Sequence, residues 1–168
     1  MTQFYANPYD ISATGFYFEN YDDYLEKSAD HKNAYGDAVE EYEIDMIDGE
    51  LIDIELFKAL SPSQGTVKAF IEFVEEWSDD DKTRVIIACG ECGYSFDFDS
   101  STPDDFDVDI YYVDSLTELA EQFVDEGLYG EIPEMLTHYI DYEAIARDLG
   151  FDYSETTVNG EAIVYRCC

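Results

Sequence analysis

Acidic residues are spread along the whole chain and interleaved with apolar and aromatic ones, which limits what the chain can fold into. The 168 residues include 41 Asp and Glu but only 8 Lys and Arg, for a formal net charge of −33. A chain this acidic cannot bind nucleic acid by neutralising phosphates. Because 46% of the residues are hydrophobic and 16% are aromatic, the chain can still bury a core, unlike a disordered acidic tail.

A net charge of this size destabilises a compact state by self-repulsion, so it needs an explanation. Three explanations compete: adaptation to high salt, cation binding, and imitation of another polyanion. Duplex DNA carries one charge per about 1.7 Å of axis, so 33 charges correspond to about 56 Å of duplex, or about 16 base pairs. No block of five like charges occurs, so the acids decorate folded elements, and any single acidic pair is more simply explained as solvated surface.

Periodicity and capping signals predict an elongated α+β chain of three small modules. The first, residues 1–60, is mixed α+β, with strands at 3–5, 15–18 and 42–47. Asn20 is expected to cap a helix whose inward residues are Tyr21, Tyr24, Leu25 and Ala29. The second, residues 61–103, is mainly helical after a loop at 61–65. An amphipathic helix with Val67, Phe70, Ile71, Val74 and Trp77 is followed by a helix that Ser78 and Asp81 cap and that Gly90 and Gly93 break.

The third module, residues 104–168, is again mixed α+β. Strict alternation at 106–111 predicts a strand with aspartates on one face and apolar groups on the other. Ser115 and Glu118 predict a capping box, and Gly127 suits the end of the helix that follows. Asp141 and Gly150 are expected to begin and end another helix, and Asn159-Gly160 predicts a hairpin turn.

Signatures of catalysis and metal binding are weak. The sequence has no Gly-rich phosphate loop, no H-E-x-x-H and no G-x-S-x-G, so we predict that the protein is not an enzyme. Cys89 and Cys92 have the spacing of a zinc or redox pair, but neither Cys167-Cys168 nor the two histidines complete a ligand set. The segment that begins at Asp97 starts like a calcium loop, yet Thr102 and Val108 occupy positions that need Gly and Glu, which excludes an EF-hand.

The stretch from Tyr129 to Leu149, YGEIPEMLTHYIDYEAIARDL, is the most distinctive part of the sequence. It resembles the antirestriction motif of the ArdA family of DNA-mimic proteins, which plasmids and conjugative transposons carry. The matching positions are Gly130, Pro133, Tyr139, Asp141, Tyr142, Ala144, Arg147, Asp148 and Leu149. The opening YANPYD, GFYFE and EYEIDMIDG extend the resemblance more loosely over the chain. Taken locally, the stretch is equally consistent with two short capped helices around a buried Tyr-Ile-Tyr cluster.

The resemblance implies an elongated homodimer, joined near this motif through the third module, that imitates bent DNA. It would occupy the DNA groove of type I restriction-modification enzymes, on the methyltransferase core, and block restriction and probably modification. The carboxylates expected to replace phosphates are Asp22, Asp23, Glu40, Glu41, Glu72, Glu75, Glu76, Asp79, Asp80, Asp81, Asp104, Asp105, Asp107 and Asp109. Arg147 is expected to pair with an acid of its own or the partner chain.

This interpretation requires no cofactor, metal, nucleic acid or membrane. The N-terminus has neither a basic nor an apolar signal region, and no stretch is long enough to span a bilayer. We therefore expect a soluble, cytoplasmic protein. The alternative is an acidic or halophilic protein-interaction module that has no restriction-enzyme target.

Overall fold

The computed structural model describes residues 1–168, and the chain divides into two compact units. The N-terminal unit is Met1–Asp105 and the C-terminal unit is Phe106–Cys168. Each unit contains one three-stranded antiparallel sheet and several short helices. The predicted mixed α+β class is therefore confirmed. None of the helices combines the length and the apolar character needed to cross a bilayer.

The N-terminal unit is built on a sheet whose strands follow the predicted apolar runs. They are β1 (Gln3–Pro8), β2 (Phe16–Phe18) and β3 (Tyr42–Asp48), in the order β2-β1-β3. The helices are α1 (Tyr21–Ala29), α2 (Leu51–Leu60), α3 (Val67–Glu76) and α4 (Asp79–Val85). A π-helical turn, Ile86–Glu91, continues α4, and a 3-10 turn, Pro103–Asp105, ends the unit.

Aromatic rings fill the core of the N-terminal unit. Phe4 of β1 stacks on Phe18 of β2 with ring centroids 5.2 Å apart, and it meets the edge of Phe70 of α3 at 6.2 Å. Phe57 of α2 packs edge-on against Phe70 at 5.2 Å. Phe4, Phe18 and Phe70 are completely buried. Each aromatic side chain removes about 150–250 Å² from water, so few residues are needed for this core.

Two expectations for the helices of the N-terminal unit are wrong. Leu25 and Ala29 of α1 are exposed, because α1 buries only Tyr24 against the sheet. Gly90 does not break the helix after α4, because the chain continues through it as the π-helical turn. Burial of Ile86, Ile87 and Ala88 accounts for this. Each buried isoleucine contributes about 1.5–3 kcal/mol, more than the roughly 1 kcal/mol that a helical glycine costs.

The C-terminal unit consists of a sheet in the order β4-β6-β5 with a helical pair. Its elements are β4 (Val108–Tyr111), α5 (Leu116–Asp125), a 3-10 turn (Glu134–Tyr139), α6 (Tyr142–Leu149), β5 (Ser154–Val158) and β6 (Glu161–Cys167). The core contains Val113, Leu119, Phe123, Tyr153 and Val164. Asn159 and Gly160 have φ angles of 52° and 77°, so the predicted hairpin turn is confirmed.

The helix caps of the C-terminal unit are those predicted from the sequence, with one difference in hydrogen bonding. Ser115 accepts a hydrogen bond from the Glu118 N–H, but the Glu118 carboxylate accepts from the N–H of Asp114 rather than of Ser115. The capping box is therefore displaced by one residue on one side. Gly127, with a φ of 79°, follows the end of α5 as expected.

The division into three modules is not confirmed. The loop at 61–65, predicted to separate the first two modules, lies inside the N-terminal unit. There α2 packs against both α4 and the π-helical turn, so the predicted first and second modules share one compact unit. The boundary before the C-terminal unit, at Asp105, is close to the predicted start of the third module.

Candidate functional site

The exposed face of α3 carries three carboxylates at helical spacing. Glu72, Glu75 and Glu76 are exposed, whereas Val67 and Phe70 of the same helix are buried. At 1.5 Å of rise per residue the three acids span about 6 Å, an average of about 3 Å per carboxylate. One strand of duplex DNA carries a phosphate every 3.4 Å or so. The spacing of the carboxylates on this helix is therefore close to that of phosphates on a single DNA strand, but Glu72 lies 4.0 Å from Lys68, which leaves Glu75 and Glu76 without a basic partner.

The three aspartates that open α4 have different surroundings. The Asp81 carboxylate is half-buried and accepts hydrogen bonds from the Ser78 hydroxyl at 2.7 Å and the Ser78 N–H at 3.2 Å. This is the predicted capping box. Asp79 and Asp80 are exposed in the same first turn, where the helix dipole favours negative charge. Asp79 is therefore available to a partner, whereas Asp80 already has a contact within the chain and Asp81 maintains the helix start.

Helix α1 likewise has one aspartate that is engaged within the chain and one that is free. Asn20 caps the helix by accepting from the Asp23 N–H at 2.9 Å. Asp23 pairs with Lys27 at 3.0 Å and accepts from the Glu19 N–H at 3.2 Å, so its carboxylate is engaged. Asp22 is exposed and has no side-chain partner. Of this acidic pair, Asp22 is the one that faces solvent freely.

A glutamine from a distant loop holds the segment that carries Glu40 and Glu41. Gln64 donates to the Glu40 carbonyl at 2.7 Å and accepts from the Tyr42 N–H at 2.9 Å. The backbone between these two bonds is fixed, and both glutamate side chains are exposed. The loop at 61–65 thus positions two of the predicted phosphate substitutes.

Sequence reasoning missed two acids on the solvent face of the first sheet. Glu43 and Asp45 alternate with the buried Tyr42 and Ile44 along β3 and are exposed. Asp45 lies opposite Tyr5 of β1 in the register. The alternation in YEIDMID was the signal that could have identified both, because side chains two residues apart share a face.

The remaining predicted acids lie on both sides of the boundary between the units. Asp104 and Asp107 are exposed, and the Asp105 carboxylate accepts from the Thr102 N–H at 2.7 Å. Asp109 accepts two hydrogen bonds from the Arg166 guanidinium, from Nε at 2.9 Å and from Nη2 at 2.5 Å. The face of β4 with Asp109 also bears Tyr111, which packs against the core. The expected separation of aspartates from apolar groups is therefore incomplete.

Eight of the fourteen predicted phosphate substitutes are exposed and have no side-chain partner. The other six are engaged, paired or half-buried to different degrees. The eight, called the free carboxylates below, are Asp22, Glu40, Glu41, Glu75, Glu76, Asp79, Asp104 and Asp107.

The Tyr129–Leu149 stretch is a largely exposed surface of the C-terminal unit. Gly130 has a φ of 92° and leads through Pro133 into the 3-10 turn. Met135, Leu136 and Tyr139 of this turn are exposed, Tyr139 to 82%. A buried Tyr-Ile-Tyr cluster is therefore absent. Large apolar groups in such number on one short segment are typical of a protein-protein contact.

The second half of the stretch forms α6 and packs on α5. Asp141 caps α6 by accepting from the Ala144 N–H at 3.0 Å, and Gly150 ends the helix, both as predicted. Ala146 is buried, and the half-buried Leu149 packs against the core beside Leu116. Tyr142 and Ala144 are half-buried, and Asp148 is exposed. The helix therefore attaches the motif to the unit.

Arg147 is exposed on α6 and forms no ion pair within the chain. The other basic residue of the C-terminal unit, Arg166, is already paired with Asp109. No acid of its own chain lies within ion-pair distance of Arg147.

The structure forms no metal site and gives Cys89 no reactive thiolate. No group of His, Cys, Asp and Glu side chains in residues 1–168 is arranged to hold a metal ion. Cys89 is a free, half-buried thiol, so it is not bridged to Cys92. Burial raises the pKa of the Cys89 thiol to about 11, which suppresses its nucleophilic thiolate.

Comparison with known proteins agrees with the motif. No curated protein matches the sequence. A family model described as antirestriction protein (ArdA) matches residues 9–163, nearly the whole chain. On this evidence the chain belongs to the ArdA family of antirestriction proteins.

Proposed function

We propose that the protein is a DNA mimic that blocks type I restriction-modification enzymes by occupying their DNA-binding groove. Family membership supports an antirestriction role, and the observation that carries the mechanism is the set of free carboxylates. They stand in for phosphates against the Lys and Arg side chains of the methyltransferase core. Both restriction and modification are inhibited, because both reactions require DNA in that groove.

Electrostatics determine how such a mimic binds. The N-terminal unit has 26 acidic and 6 basic residues, a net charge of −20, and the C-terminal unit has a net charge of −13. Charge of one sign steers association with a basic groove and is screened by salt. The protein needs no cofactor, nucleic acid or membrane, performs no catalysis, and acts in the cytoplasm, where restriction enzymes meet incoming DNA.

Competition with DNA tests the proposal. Purified protein is titrated into a type I methyltransferase core bound to a labelled duplex that contains its recognition site. At about 0.15 M salt, where exposed charges are screened beyond roughly 8 Å, we expect displacement at near-stoichiometric protein and weaker displacement at higher salt. Failure against several such enzymes would contradict the proposal. Unfolding at low salt would instead indicate a halophilic interaction module.

The 3-10 turn of the motif supplies the contact between two copies in this proposal. Met135, Leu136 and Tyr139 pack against a second copy, and Arg147 pairs with a carboxylate of that copy. A dimer carries a charge of −66, which corresponds to about 112 Å of duplex or about 33 base pairs. A footprint of that length matches a large enzyme with a bipartite recognition site.

Polar substitutions in the turn are expected to weaken the dimer. Met135→Gln with Tyr139→Ser removes exposed apolar area without changing the charge, and should raise the dimer dissociation constant at least tenfold in sedimentation equilibrium. Phe151→Ser is the matched control, because Phe151 is equally exposed but lies outside the motif. If the double substitution in the turn does not raise the dissociation constant, or raises it no more than Phe151→Ser does, the turn is not part of the dimer contact.

A further inference from the structure

Three large apolar side chains of the N-terminal unit project from two loops next to the sheet. Ile11 is fully exposed, Tyr35 is 83% exposed and Tyr9 is 64% exposed. Single exposed apolar residues are ordinary in soluble proteins. Here three occur on two loops that are hydrogen-bonded to each other, and these three residues are called the Tyr9 patch. Neither the free carboxylates nor the Tyr129–Leu149 stretch includes it.

A carboxylate ties the two loops together. Asp10 accepts from the Ser12 hydroxyl at 2.6 Å, the Ser12 N–H at 2.9 Å and the Asn33 side-chain amide at 2.8 Å. The Ser12 carbonyl in turn accepts from the Ala34 N–H at 3.0 Å. Hydrogen bonds from Ser12 and Asn33 lower the pKa of Asp10, so its carboxylate stays charged and keeps these partners at neutral pH.

The loop that carries Tyr35 is also fixed internally. The side-chain oxygen of Asn33 accepts from the N–H groups of Tyr35 and Asp37, each at 2.9 Å. Lys32 and Ala38 close the loop through a β-bridge. The backbone of these loops is therefore fixed before any partner arrives, which reduces the entropy lost on binding.

Charge around the patch indicates what it contacts. The Tyr9 N–H donates to the Glu41 carbonyl at 3.2 Å, which places the patch beside the free carboxylates Glu40 and Glu41. Asp30 and Asp37 lie on the same loops, with Lys32 as the only base among them. A second copy of this chain would be repelled here, whereas a protein surface with basic residues around an apolar recess is complementary.

We propose that the Tyr9 patch is an apolar anchor that docks into a recess bordered by basic residues on the restriction-modification enzyme. The inference rests on the proposed function and adds a contact that DNA itself does not make. Carboxylates contribute many weak, salt-sensitive contacts, whereas aromatic and aliphatic anchors concentrate affinity in a few desolvated positions. The anchor therefore supplies a part of the affinity that salt does not screen.

Salt dependence separates the anchor from the charges. Ile11→Ser with Tyr35→Ser leaves the net charge unchanged, and we expect it to weaken binding to the methyltransferase core at least tenfold. The slope of log Kd against log salt should stay that of wild type, because no ion contact is lost. Ile47→Ser with Leu51→Ser is the matched control, since both residues are about half exposed outside the patch, and it should bind within twofold of wild type.

Loosening the loops tests the same anchor by another route. Asn33→Ala keeps all three patch side chains but removes the bonds to Asp10, Tyr35 and Asp37, and should weaken binding severalfold. If the Ile11, Tyr35 variant is folded by circular dichroism and binds within twofold of wild type, the anchor is wrong and the proposed function stands. If wild type itself fails to displace DNA, both are overturned. Loss of dimer in sedimentation would assign the patch to self-association and overturn the anchor.

Discussion

Conversion of all eight free carboxylates to amides is expected to abolish inhibition of a type I restriction-modification enzyme, whereas each single conversion should change it less than threefold. An exposed ion pair contributes about 0.2–1 kcal/mol. Eight pairs at about 0.5 kcal/mol each amount to roughly a thousandfold in affinity, while one is barely measurable. Titration of DNA displacement at about 0.15 M salt measures both effects.

A second eightfold variant separates position from net charge. It neutralises eight exposed acids that belong to neither the predicted set nor the Tyr129–Leu149 stretch: Glu50, Asp99, Asp114, Glu121, Asp125, Glu126, Asp152 and Glu161. Both variants have a formal net charge of −25. The control should retain most inhibition. Equal losses in the two variants would mean that total charge, not a shaped anionic surface, accounts for the activity.

Removal of one partner of the buried ion pair is expected to destabilise the N-terminal unit by about 3–5 kcal/mol. Lys82 of α4 lies 2.6 Å from Asp53 of α2, and the two side chains are 6% and 5% exposed. Lys82→Met leaves a buried carboxylate without its cation, which costs far more than the pair itself contributes. Urea unfolding followed by circular dichroism measures the change in the free energy of unfolding.

Two further variants show that burial causes this effect. Lys27→Met breaks the Lys27–Asp23 pair, whose side chains are 45% and 26% exposed, and should cost less than about 1 kcal/mol. Lys82→Met with Asp53→Leu removes both buried charges and should recover most of the stability lost in the single variant. A single variant that unfolds at the wild-type urea concentration would contradict the argument.

Local signals in the sequence predicted most elements of the fold. Asn20, the Ser78–Asp81 capping box and the Asn159-Gly160 turn act within a few residues, and all three are present. Helix α2 was missed, because Glu50 supplies no side-chain cap and Asp53 interrupts the apolar pattern. Only its pairing with Lys82, 29 residues away, makes a buried aspartate acceptable there.

The site was less predictable, because charge alone does not distinguish an available carboxylate from an engaged one. Nothing in the local sequence distinguishes Asp23, Asp81 and Asp109 from Asp22 and Asp79. In the structure, however, the carboxylates of the first three accept hydrogen bonds or form ion pairs within the chain. The partners of Asp109 and of the Glu40–Glu41 segment are remote in sequence, at Arg166 and Gln64. Pairing over such distances depends on the tertiary fold, so no local pattern reports it.

The aromatic core of the N-terminal unit limits which positions can change during the evolution of such sequences. Phe4, Phe18 and Phe70 are completely buried, whereas most carboxylates of the unit lie at exposed positions that core packing does not constrain. Carboxylates on those positions act collectively, so an acid lost at one place is replaced by an acid gained nearby. Relatives are therefore expected to conserve the aromatic core residues and the helix caps, while the positions of individual acids vary. Sequence identity should be lowest on the surface that contacts the target.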